Sequence, residues 1–262
     1  MRQLIIASIN EIIFESMKPW NNIIHLDSVS STNSYAAELI KKENLPEGTI
    51  IIADEQLEGK GIGSNAWESE KSKNLTFSIV LYPDFMDVSK QFMISKTIAL
   101  GIQKYLSFKT RHISIKWPND IYYHDKKIAG ILIENSITGS KINYTIVGIG
   151  ININQTEFRS DAPNPVSLKQ IVGDDFYLKD ELVELKYHLA KYYNRLRYKS
   201  FKEINREYLL NLFKYKVWSD YKVQDTLFRG KITGVNEFGH LQITTPDNEV
   251  KEFDLKEIEF VF

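Results

Sequence analysis

The sequence predicts an α+β fold with a small all-β region at its C-terminal end. Three observations carry this. Apolar residues alternate through Ile113, Ile115 and Trp117, then run almost unbroken from Ile128 to Ile133, which is strand patterning. Two long segments, 85–108 and 178–213, space their apolar residues at helical intervals instead. From Val217 onward, short alternating stretches are separated by turn-forming residues. At 262 residues the chain can hold one large core and a small appended domain. The expected division is an arm over 1–22, a main domain over 23–215 and a small domain over 216–262.

The elements follow in order. Leu4, Ile5, Ile9, Ile12 and Ile13 fit one face of a helix that Pro19 would end, and a loosely packed arm fits equally well. His25 opens a strand that closes in hydroxyl residues, and Ser30, Ser31 or Thr32 would cap a helix over Asn33–Lys42. Thr49–Ala53 reads as a buried strand, and Asn74–Tyr82 as another. Residues 85–108 give the longest helical pattern. Ile113–Trp117 is a strand stopped by Pro118, Asp120–Tyr123 a second, and Lys141–Ile153 a third after the apolar run. Ser167–Ile171 is a helical turn, and 178–213 is two helices broken near Ser200. Roughly five short strands after Val217 predict a small antiparallel barrel.

Composition excludes several functions. Hydrophobic residues are 43% and charged residues 26%, the balance of a soluble globular protein. Lys+Arg at 33 against Asp+Glu at 34 leaves a net charge of −1, so no basic footprint for nucleic acid is present. The absence of cysteine removes disulfides and thiolate metal sites, and the five histidines lack ligand spacing. The first apolar run is too short to span a membrane, and Asn10, Glu11 and Glu15 interrupt it as a signal sequence. A cytoplasmic protein without membrane contact is expected. The basic residues Lys186, Lys191, Arg195, Arg197, Lys199 and Lys202 read as a solvated helix face in preference to a contact for an acidic partner.

The chemistry concentrates in Lys116-Trp117-Pro118-Asn119-Asp120-Ile121 and Lys127-Ile128-Ala129-Gly130-Ile131-Leu132-Ile133-Glu134. Two ammonium groups, a carboxylate and an amide at strand ends beside an apolar wall can hold a polyanion and a metal ion. An ordinary surface hairpin with a Lys–Asp pair is the plainer alternative. The Gly59–Trp67 stretch, with Gly59, Gly61 and Gly63 around Lys60, is a flexible loop able to close over an anion. It matches neither the Walker spacing nor a Rossmann turn. Gly148 and Gly150 clear one face of a strand, for a ligand, for another backbone or for a bulge.

The K-W-P-N-D-I and K-I-A-G-I-L-I-E runs resemble the central motif of biotin–protein ligases, and other motifs across residues 25 to 262 follow in the family's order. The resemblance implies a mixed β-sheet catalytic domain flanked by helices, of the class II synthetase/biotin ligase type, with an SH3-like β-barrel C-terminal domain. It implies that Ser31, Thr32 and Asn33 hold the ureido head of biotin. The loop is similar to the family's G-R-G-R-x-G-R-x-W, with Gln56, Gly59, Lys60, Gly61 and Trp67 in register. It departs in Lys60 for arginine, in Ile62 and Asn65 where two further arginines are expected, and in Gly63-Ser64, which set the third glycine one place early. Looser retention of the reaction intermediate is expected from this. Gly150 corresponds to the glycine beside the ligand and Asn152 to the asparagine that reaches adenine.

The resemblance implies a two-step reaction. Biotin's carboxylate attacks the α-phosphate of ATP to give biotinyl-5′-AMP, and a lysine of a biotin carboxyl carrier protein then displaces AMP. Lys127, Asp120, Lys116 and Asn119 are the expected catalytic residues, with Asp120 the Mg²⁺ contact. Biotin is expected at Ser31, Thr32, Asn33, Gln56, Gly59, Lys60, Gly61, Lys127, Gly130 and Gly150. ATP is expected at Lys60, Trp67, Lys116, Asn119 and Asn152. A lipoate–protein ligase relative and a catalytically weak biotin-binding protein are the rival readings. A biotin-dependent repressor is disfavoured, because about 24 residues before His25 are too few for a DNA-binding domain. The choice between monomer and homodimer is left open.

Overall fold

The computed structural model describes residues 18–63, 65–159 and 164–261. The helix or arm expected before Lys18 lies outside the described residues. The strands are β1 Ile23–Leu26, β2 Thr49–Ala53, β3 Leu75–Leu81, β4 Ile113–Lys116, β5 Asp120–Tyr123, β6 Lys126–Thr138, β7 Lys141–Ile151, β8 Trp218–Val223, β9 Thr226–Val235, β10 Leu241–Thr244, β11 Val250–Phe253 and β12 Glu259–Phe260. The helices are α1 Thr32–Lys42, α2 Phe92–Lys109, α3 Leu168–Val172, α4 Leu178–Arg197 and α5 Phe201–Leu210.

The first seven strands form one sheet in the order β1-β2-β3-β7-β6-β5-β4. Only β1 and β2 run parallel, so the sheet is mixed. Both faces are covered. Ile50, Ile79 and Val147 point into a core shared with α2 and α4, while Ile51, Val80 and Ile146 pack with Ala36 of α1 on the other side. This double cover is why β3 is buried at every position. The burial continues through Ile128–Ile131 and then relaxes at Leu132 and Ile133.

Two helical expectations change. The helix after Pro83 begins at Phe92 and not at Phe85, because Asp87 caps a separate short turn over Val88–Lys90. The longest helix is α4, with 20 residues against 18 for α2. The break after α4 falls at Lys199, which takes a left-handed φ of 56°. Nor is the basic face of α4 simply solvated. Lys186 is 8% exposed and donates to Asn21 Oδ1 at 3.0 Å. Arg195 pairs with Glu207, and Arg197 with Glu47.

The last five strands form an antiparallel sheet in the order β11-β10-β9-β8-β12, whose pairing defines a sheet with two edges and not a closed barrel. Its apolar side chains, including Tyr221, Ile232, Leu241 and Ile243, continue the main core. Trp117 closes the seam: its indole Nε1 donates to Gly239 O at 2.8 Å.

Lys96 is buried at the same seam, 2% exposed, donating to Asn205 Oδ1 at 2.7 Å and Val235 O at 3.2 Å. Burial lowers its pKa to about 8 from 10.5. Between those values the unfolded chain still binds the proton that the folded protein has released, so stability rises with pH. Below about pH 8 both states are charged and the dependence flattens. Urea midpoints of the wild type are therefore expected to climb from pH 8 to 10 relative to those of Lys96→Met. Parallel curves for the two proteins would refute this.

Candidate active site

A cleft opens over β6 and β7, between the N-terminus of α1 and the Gly59–Trp67 stretch. Its charged wall is built by a bulge. β5 and β6 pair Asp120 with Gly130 and Ile121 with Ala129, and then the register slips so that Tyr122 meets Lys127. Cross-strand partners share a face, so without the slip Ile128 would lie on the face of Asp120 and Lys127 on the other. Pairing with residues 164–166 holds the bulge, through Lys127 N to Asn164 O at 2.9 Å and Val166 N to Lys127 O at 2.9 Å. Lys127 Nζ thus stands 2.7 Å from Asp120 Oδ1. The ammonium is the buried oxygen's charged partner, and the carboxylate keeps further lone pairs for a second cation. Asn119 lines the same wall and donates from Nδ2 to Ile131 O at 2.7 Å.

Lys116 goes elsewhere. Its ammonium lies 5.2 Å from the Tyr122 ring centroid and 4.9 Å from that of Phe260, turned toward the C-terminal sheet and away from the cleft lining. Burial lowers its pKa, against the opposing pull of Asp120. The phosphate contact expected of it is not supported by this placement.

At the opposite wall the S-T-N triplet divides its work. Ser31 is buried at the N-cap position, makes no cap bond and lines the cleft. Gln56 caps the helix instead, its Oε1 accepting from Thr32 N at 2.7 Å and Thr32 Oγ1 at 3.0 Å. Ser78 Oγ lies 2.7 Å from Thr32 Oγ1 and 2.6 Å from Asn33 Oδ1, sharing one hydrogen between them. Asn33 Nδ2 donates to Glu134 Oε2 at 2.6 Å and, longer, to Leu132 O at 3.4 Å. Both amide hydrogens of Asn33 are thereby engaged. It braces α1 against β6 and keeps only acceptor capacity for a ligand. Sequence reasoning missed Ser78 and the role of Glu134. A serine hydroxyl inside a fully buried strand, whose other hydroxyl is Thr76, was the available signal for Ser78.

The Gly59–Trp67 stretch is not a loose loop. Gly61 N donates to Asn65 O at 2.7 Å and Trp67 N to Gly59 O at 2.8 Å, with Lys60 opposite Ala66, which makes it a tight hairpin. Lys60 reaches across to α1 and donates to Ser34 Oγ at 2.9 Å. Trp67 lays its indole over Gly130 and Gly150, and a Cβ on Gly150 would fall 2.2 Å from the ring. The space cleared by Gly150 is thus taken by a side chain of this chain, and that cleared by Gly148 by the amide of Asn33. Lys127 Nζ lies 5.8 Å from the Trp67 ring. Asn152 is buried outside the lining, its Nδ2 donating to Val166 O at 3.2 Å. Trp67 Nε1 and Asn152 Oδ1 are buried polar atoms without hydrogen-bond partners, one in the cleft and one behind it. Among the described residues no group of three or more His, Asp or Glu side chains could enclose a metal ion.

Residues 26–152 match the model of the biotin/lipoate A/B protein ligase family. Within it the similarity is to biotin ligases. The chain is 35% identical over 161 residues to the bifunctional ligase/repressor BirA of Bacillus subtilis, covering 58% of this chain and 48% of that one. It is 28% identical over 221 residues to the biotin–protein ligase of Homo sapiens, covering 78% of this chain and 29% of that one. The chain spans about half or less of the length of these curated relatives. The biotin protein ligase from Aquifex aeolicus, solved in complex with biotin and ATP, superposes with a TM-score of 0.75 at 29% identity over 91% of this chain and 98% of that one.

Proposed function

We propose that the chain is an ATP-dependent biotin–protein ligase that forms biotinyl-5′-AMP and transfers biotin to a lysine of a biotin carboxyl carrier protein. The observation that carries this is the Lys127–Asp120 pair, set by a bulge beneath a glycine hairpin in a cleft with unsatisfied buried polar atoms. Joining a carboxylate to a phosphate brings two anions together, so positioned charge is the main demand on the protein. Lys127 is suited to touch both the carboxylate and the α-phosphate. Ser31 and the capped N-terminus of α1 offer polar groups for the ureido end, and Trp67 an aromatic face for the adenine. A single acid beside an amide suits Mg²⁺, which commonly completes its shell with phosphate oxygens and water. Asp120 would hold the ion, which would supply charge neutralisation at the phosphates. The C-terminal sheet is read as the SH3-like domain of such enzymes. No described helix is long and apolar enough to cross a membrane, and a cytoplasmic setting without nucleic-acid contact is part of this reading.

Incubation with ATP, Mg²⁺, biotin and a carrier domain, followed by mass measurement of the carrier, tests the proposal. A gain of one biotinyl group is expected. A carrier left unmodified, or modified only when lipoate replaces biotin, would reject it. With Ile62 and Asn65 in the hairpin, preformed biotinyl-adenylate is expected to leave this protein faster than an arginine-bearing relative. Equal release rates in a trapping experiment would refute that.

A further inference from the structure

Asn33 stands between two spaces. It lines the cleft with Thr32 and Gln56, and on its other side a surface hollow with Glu134 and Tyr144. Its amide fills the room that Gly148 leaves: a Cβ on Gly148 would fall 2.5 Å from Asn33 Oδ1. Glu134 is exposed and outside the cleft lining, yet its Oε2 accepts from Asn33 Nδ2 at 2.6 Å.

This contact fixes a polarity. An ionised carboxylate can only accept, so the amide atom that meets Glu134 has to be the nitrogen. The amide oxygen is thereby turned inward over Gly148, where Ser78 Oγ meets it at 2.6 Å. The opposite rule holds at the far end of the chain of contacts. The backbone N–H of Thr32 can only donate, so Gln56 presents Oε1 to it and keeps Nε2 away from it. Thr32 Oγ1 also gives its hydrogen to Gln56 Oε1. Ser78 then has one hydrogen for two oxygens, those of Thr32 and Asn33. What remains on these two side chains, each 3% exposed, is lone pairs and no hydrogen. A ligand ring seated against them has to bring N–H groups, and one without them would strand buried acceptors.

We propose that Glu134, from outside the cleft, holds the Asn33 amide with its oxygen inward and so selects a ligand ring that carries N–H donors. Glu134 is a positioning residue: it acts through Asn33 and touches no ligand. The assignment rests on the ligase reading above, and in its terms Glu134 favours the ureido ring of biotin over the ring of lipoate, which has no N–H.

The test measures KM for biotin, KM for ATP and kcat in biotin-dependent pyrophosphate release, with urea midpoints, for wild type, Glu134→Gln and Glu134→Lys. Lysine puts a donor where an acceptor stood. The Asn33 amide is then expected to turn over and face the ligand N–H with its own, while Ser78 gives its hydrogen to Thr32. KM for biotin should rise about ten- to a hundredfold, the scale of a buried donor left facing a donor. A charge effect alone runs the other way, because biotin is an anion and an added cation would draw it in. The kcat, KM for ATP and urea midpoint should stay at wild-type values, since the turned amide keeps its partners within the chain. Lipoate, measured as an inhibitor, should bind Glu134→Lys no more weakly than wild type. Glu134→Gln can still offer an oxygen to Asn33 and should keep KM for biotin within about twofold of wild type. An unaltered KM for biotin in Glu134→Lys would overturn the assignment, as would an equal loss in Glu134→Gln. So would a fall in kcat and urea midpoint together, which marks a bracing role only. A wild type that releases no pyrophosphate with biotin overturns the ligase reading itself, and this proposal with it.

Discussion

Lys127→Ala is expected to lower biotin-dependent pyrophosphate release by roughly two to three orders of magnitude, the scale of losing one preorganised charge donor at a reacting oxyanion. The argument is positional. The bulge at Ile128 fixes Lys127 on the Asp120 face, 24% exposed, so the ammonium has few alternative orientations. Its loss removes the only lysine that stands directly against the acid among the described residues. Pyrophosphate release at saturating biotin and ATP is the measurement. Activity near the wild-type level would remove Lys127 from the reaction. Lys127→Arg should recover only part of the rate, since the planar guanidinium spreads the charge that the compact ammonium concentrates against Asp120.

Asp120→Asn should have the next largest effect, a fall of about a hundredfold in the same assay. The substitution keeps the shape and removes the charge. Two consequences separate here. Lys127 loses its counter-ion, which should cost about 1–3 kcal/mol of stability for a partly buried pair. The Mg²⁺ concentration for half-maximal activity should also rise if Asp120 holds the ion. Urea unfolding reads the first and a magnesium titration the second. A stability loss without any change in magnesium dependence would keep Asp120 as partner to Lys127 and end its assignment as a metal contact.

The strands were legible in the sequence because their signals are local. Alternation through Ile113 and Ile115, the stop at Pro118 and the apolar run from Ile128 each declare themselves within a few residues, and the structure follows them. The site was legible in its residue types but less so in its geometry. Lys116 and Asp120 are direct partners across β4 and β5, yet Lys116 turns toward Phe260 of a strand far along the chain. Asn33 meets Glu134 across 101 positions, and Gln56 caps a helix that begins 24 residues earlier. Such partners are set by tertiary packing, which a window on the sequence does not contain. The glycines show the same limit. Strand glycines mark a close approach, but only the fold reveals that at Gly150 the neighbour is Trp67.

Trp117 lies inside the motif that carries Asn119 and Asp120, and its indole donates to the carbonyl of Gly239. A chimera that exchanges residues 216–262 with those of a distant homologue would have to reproduce that carbonyl, or leave a buried donor stranded beside Pro118 and Asn119. The C-terminal sheet is therefore a poor candidate for independent shuffling, and recombination between relatives should succeed where the crossover keeps this pair of residues together.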